Sequence, residues 1–175
     1  MAKKKQRNLF KRSVCKVVMK MLGKGIRYAY KTDSRVRDDL DNICGYATDA
    51  EGNQIANDFS VKIAINPIGP CMTFGKRNGK PFSEICPIEK ESDIVLSFKG
   101  VNSALKMFTG RMGLGDGYAQ HRFTVNGDLY KVMGIVRIIN VVESYLFPKF
   151  IAKKLMNPVP KKQISSFRFL CGTLF

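Results

Sequence analysis

The chain has a single histidine, His121, and no acidic residue among its first 24 or its last 27 positions. It has no Cys-x-x-Cys pair and no charge-free apolar stretch of about 18 residues. Each absence removes a class of function. Without a long apolar run, no membrane-spanning helix is expected. The five cysteines, Cys15, Cys44, Cys71, Cys86 and Cys171, are odd in number and widely spaced. A zinc centre needs close pairs or histidines, so no metal site is expected, and no disulfide framework either. Buried thiols in a reducing, cytoplasmic setting are the reading. No Ser, Cys or Asp can be placed beside His121, and Asp116, five residues away, shares no helical face with it. Neither catalytic residues nor a cofactor are therefore expected. Met112–Gly117 (MGLGDG) imitates a nucleotide loop, but it follows a helix and lacks an acidic ribose partner. It reads as a glycine hinge. The start MAKKKQRNLFKRS has no apolar run behind its basic residues, so no signal peptide is expected.

What is present is positive charge, and it is concentrated. The net charge is +16. Residues 1–24 hold nine Lys or Arg and residues 149–175 hold six, with no acid in either, while 25–148 is nearly balanced. Two cationic arms on a neutral body favour an anionic partner such as a membrane surface. Residues 8–22 read as a basic amphipathic helix with Phe10, Val14, Val17, Val18, Met21 and Leu22 on one face, ended by Gly23 and Gly25. Asp33 or Ser34 caps a second helix over 35–44, with Val36, Leu40 and Ile43 inward and Gly45 as its stop. A polar loop follows over 48–58. Four strands are predicted at 59–65, 72–76, 82–88 and 93–98, punctuated by tight turns in the manner of an antiparallel meander. The final ISSFRFLCGTLF reads as an edge strand or a cavity plug.

Residues 92–148 organise the rest. Ile94, Leu96 and Phe98 alternate with Asp93, Val95 and Ser97 as in a half-buried strand. Val101, Leu105 and Phe108 then recur at helical spacing, and Gly110 closes that helix. Phe123 and Val125 begin another strand, turned by Asn126-Gly127. Residues 129–147 are apolar around most of a helix, with polar exceptions falling largely on one narrow arc.

This order, DIVLSF, a helix ending MFTGRM, a Gly- and Ala-bearing link, then FTVNGD and an apolar helix, resembles the sterol carrier protein 2 (SCP2-like) lipid-transfer family. The resemblance is clear over 93–139 and absent before about residue 33 and after residue 148. It implies an α+β fold in which a mostly antiparallel five-stranded sheet is covered by helices, here with extra N-terminal helices and a C-terminal extension. The expected segments are 1–47, a core over 48–148, and 149–175, forming one compact domain. It also implies non-catalytic binding or transfer of a fatty acid, acyl-CoA, sterol or phospholipid, with a lipid or acyl chain as partner. The residues expected to line a cavity are Leu105, Met107, Phe108, Met112, Tyr118 and Phe123, followed by Tyr130, Met133, Val136, Ile139 and Tyr145. Flexible thioethers suit varied apolar ligands. Arg111 and Arg122 are the head-group candidates. Two alternatives stand beside this one. One is nucleic-acid binding through the basic ends, disfavoured because no aromatics interleave with the basic runs. The other is an accessory domain presenting lipid to an enzyme, as in quinone biosynthesis.

Overall fold

A computed structural model describes residues 2–48, 54–86, 91–156 and 158–174. In chain order the elements are helices α1 (Ala2–Thr32) and α2 (Ser34–Cys44), then strands β1 (Tyr46–Thr48), β2 (Gln54–Ala56), β3 (Phe59–Ile65), β4 (Cys71–Arg77), β5 (Lys80–Ile85) and β6 (Ile94–Phe98). Helices α3 (Val101–Phe108) and α4 (Leu114–Ala119) precede β7 (Phe123–Asn126). Helices α5 (Leu129–Leu146), α6 (Lys149–Leu155) and α7 (Ser166–Leu174) complete the chain.

The main sheet has five strands in the order β5-β4-β3-β6-β7. Every pairing in it is antiparallel except β3 with β6, which run parallel with Val61 opposite Ile94 and Ile65 opposite Phe98. The fold is thus the mostly antiparallel α+β class expected. The meander ends at β5, however, and the chain returns to the far side of β3. The register aligns apolar residues in rows across the strands: Val125, Leu96, Ile63, Met72 and Ile85 form one, and Phe123, Phe98 and Ile65 another. These rows face the helices. A single apolar core joins them to Met19, Leu22 and Ile26 of α1 and to Ile135, Ile138 and Val142 of α5.

Three helical expectations change. Helix α1 does not stop at Gly23 but continues to Thr32. The glycines there serve close approach: a Cβ at Gly23 would sit 2.9 Å from Ser83 Cβ, and one at Gly25 the same distance from Val142 Cγ1. The inward face of α1 is Cys15, Met19, Leu22, Ile26 and Ala29, whereas Phe10 and Val17 are exposed. The glycine-bearing stretch before β7, read as a hinge, forms the short helix α4. The tail is a helix as well, since α7 buries Phe169 flat against Tyr145 with ring centroids 4.4 Å apart. The predicted strand to residue 88 ends at Ile85, and residues 87–90 lie outside the described residues.

Helix α2 is capped as expected, with Asp33 accepting from the Arg35 backbone N–H. The same carboxylate is fully buried and also accepts from Arg35 Nη2 at 2.7 Å and from the Tyr145 hydroxyl at 2.8 Å. Burial pushes its pKa up, but the hydrogen bonds from Arg35 and Tyr145 outweigh that and hold it below the ordinary value. The Tyr145 oxygen in turn accepts from the Gln163 backbone N–H. One side of α5 is therefore anchored to the α1–α2 joint and to the C-terminal segment. The opposite side is free to form a wall.

Candidate functional site: an apolar cavity under α5

That wall is a stripe on α5. Leu129, Val132, Met133 and Val136 recur at three- and four-residue intervals and so share a face. Opposite stand Leu96 of β6 and Phe123 and Val125 of β7, and α4 closes the side with Leu114 and Tyr118. Together they enclose a cavity of about 190 Å³ whose lining is almost wholly apolar. Tyr118 leans on Phe123 with ring centroids 5.9 Å apart, and Phe123 packs on Phe98 at 5.4 Å. The rim is greasy and wet at once: Leu129 is 68%, Tyr118 55% and Met133 53% exposed. Three large apolar groups exposed around one opening are what a binding mouth looks like and what a plain core does not.

A smaller space of about 20 Å³ lies deeper, lined by Leu22, Ile63, Phe98, Met107, Phe108, Ile139 and Glu143. It shares Leu96, Leu114 and Phe123 with the outer cavity. Wider clefts of about 300 and 350 Å³ run along α1, but Lys24 and Arg27 line both. Both are open surface grooves edged by these cations, unlike the almost wholly apolar cavity under α5.

The expected site residues divide accordingly. Tyr118, Phe123, Met133 and Val136 line the outer cavity, and Met107, Phe108, Phe123 and Ile139 line the deeper one. Leu105 and Met112 border neither; the first is half-buried and the second buried. Tyr130 is 79% exposed and lines neither. Tyr145 lies on the anchored side of α5, its hydroxyl committed to Asp33. Neither Arg111 nor Arg122 borders the cavity; Arg122 bonds Gln120 instead. A head group held by those arginines would stand outside the cavity.

Sequence reasoning passed over Leu96, Leu114, Val125, Leu129, Val132 and Glu143. Strand parity would have found Val125, two residues from Phe123. Helical spacing would have found Glu143, four residues after Ile139 and seven after Val136. Its position on α5 outweighs its residue type. Among the described residues no group hydrogen-bonds or ion-pairs with its carboxylate, and burial alone pushes its pKa from 4.5 to about 8.

A pH dependence follows. Below about pH 4.5 the folded and unfolded chains both hold this proton, and between there and about 8 only the folded chain does. Stability should therefore fall as pH rises through that window, by up to about 1.4 kcal/mol per unit. Denaturation midpoints of the wild type and Glu143→Gln, compared from pH 5 to 8, should diverge with that sign. Parallel curves would show that Glu143 ionises normally.

No family model matches the sequence, and no curated protein matches it. Among the structures that resemble it are sterol carrier proteins. Sterol carrier protein 2 from Yarrowia lipolytica, in its apo form, is 9% identical with a TM-score of 0.45, over 71% of this chain and 88% of that one. A palmitated sterol carrier protein 2-like protein from Aedes aegypti is 14% identical with a TM-score of 0.39, over 62% and 94%. A stereoselective inverting sec-alkylsulfatase from Pseudomonas sp. is 12% identical with a TM-score of 0.35, over 46% of this chain. This chain spans only 13% of that enzyme's length. The family that residues 93–139 resemble is thus also represented among the structural neighbours.

Proposed function

We propose that this protein is a non-catalytic carrier that holds an apolar lipid chain between β6–β7 and the α4–α5 wall. The observation that carries the reading is the apolar cavity with its exposed rim of Leu129, Tyr118 and Met133. Each methylene moved from water into such a space contributes about 0.8 kcal/mol, so micromolar binding takes a chain of about ten methylenes or more. The likeness of residues 93–139 to the SCP2-like family implies the same ligand class.

Delivery to an anionic membrane fits the charge distribution. The exposed side of α1 mixes Leu9, Phe10 and Val17 with Lys16 and Lys20, the composition of a helix that adsorbs at a charged lipid interface. Among the described residues no helix is long and apolar enough to cross a membrane.

Native mass spectrometry of gently purified protein, followed by titration with a fluorescent fatty acid, tests the carrier reading. A co-purified lipid or micromolar binding is expected. A protein that carries no lipid and binds no fluorescent chain would overturn it.

A further inference from the structure

Among the described residues Glu143 is the one polar side chain lining the inner end of the cavity; Leu22, Ile63, Phe98, Met107, Phe108 and Ile139 surround it. These neighbours offer no hydrogen bond. Glu143 is half-buried, and ionising its carboxyl beside these apolar atoms is costly, in line with the upward shift to about 8. A protonated carboxyl has one donor and one carbonyl acceptor to offer. Beside it lies about 20 Å³ of space, enough for one water-sized group. A lone water would find one polar residue where two to four hydrogen-bond partners are normal. A hydroxyl tethered to an alkyl chain needs fewer partners, because the chain is held along the apolar wall.

Resting on the carrier reading, we propose that Glu143 recognises the polar end of the ligand, and that the ligand is a straight-chain primary alcohol inserted hydroxyl-first. Its hydroxyl accepts from the Glu143 O–H and donates to the carbonyl oxygen. The competing head groups fit worse. A fatty-acid carboxylate must be stripped of its water and then finds a single O–H donor where several solvated it. An ammonium must be stripped of water and then meets a single acceptor residue for its three donors. The wall from Met133 to Glu143 covers ten helical steps, about 15 Å. An extended chain advances about 1.2 Å per bond, so roughly a dozen carbons span it.

The test uses delipidated full-length protein carrying a neutral fluorescent reporter, N-phenyl-1-naphthylamine. Dodecanol, dodecanoate and dodecylamine compete for it. Dodecanol should displace the reporter at a concentration at least tenfold lower than the other two. In Glu143→Leu that preference should vanish, leaving the three within about threefold. In Glu143→Gln, which still donates and accepts, it should persist. Equal affinities in the wild type, or a dodecanol preference that survives Glu143→Leu, would overturn this inference and leave the carrier reading standing. Failure of the reporter and all three chains to bind would overturn both. If Glu143→Leu does not fold, the wild-type rank order and Glu143→Gln decide alone.

Discussion

Replacing Gly75 with alanine is expected to destabilise the protein by about 4 kcal/mol, the largest single-site effect in the sheet. Gly75 lies in β4 opposite Ser60 of β3, with φ of +156°. A Cβ there would sit 1.9 Å from the Phe59 carbonyl oxygen and 2.9 Å from its carbon. Both are backbone atoms, so no side chain can swing aside. Strand β4 is paired on both edges and cannot drift away from β3 without breaking a ladder. Gly79 provides the contrast. Its φ is +71° but nothing lies within 4 Å of its Cβ position, so alanine there should cost only about 1 kcal/mol. Urea denaturation should show a shifted midpoint with an unchanged slope for Gly75→Ala. A loss below about 1 kcal/mol would mean that β3 and β4 are not in the register described.

Filling the cavity should be as damaging to binding as Gly75→Ala is to folding. Val136 is half-buried and faces the outer cavity. Tryptophan at that position would occupy much of the 190 Å³ space. If the indole excludes about four methylenes of a bound chain, the loss is about 3 kcal/mol, or roughly a hundredfold in affinity. Tyr130→Ala, on the same helix but outside the lining, should leave affinity within about twofold. Titration of both variants with one fluorescent chain separates the cases. Undiminished binding by Val136→Trp would place the ligand elsewhere, for example along α1.

The elements that were legible carry local signals. Strand β3 shows its alternation and α2 its Asp33 cap, and both appear at the predicted positions. Helix α5 is apolar on several sides because it packs against α1, α2 and α7 while also walling the cavity. The errors share a cause. Gly23 and Gly25 punctuate a sequence, but whether glycine breaks a helix or admits a neighbour depends on Ser83 and Val142, distant in the chain. Helix α7 was hidden because its anchor, Phe169, finds its partner Tyr145 on another helix. The site was half legible for a related reason. Residue type alone sent Tyr145 into the cavity and kept Glu143 out, and the rotation of α5 reverses both assignments.

The parallel contact between β3 and β6 bears on how the molecule assembles. Hairpins between adjacent segments can close early, as β3–β4 and β4–β5 can, because little chain separates them. Joining β6 to β3 requires the chain to travel past two finished strands before any ladder bond rewards the loop entropy. The β6–β7 half of the sheet, which floors the apolar cavity, should then be the late-forming half. Amide exchange in refolding pulses would see Val61–Phe74 protected before Leu96–Val125.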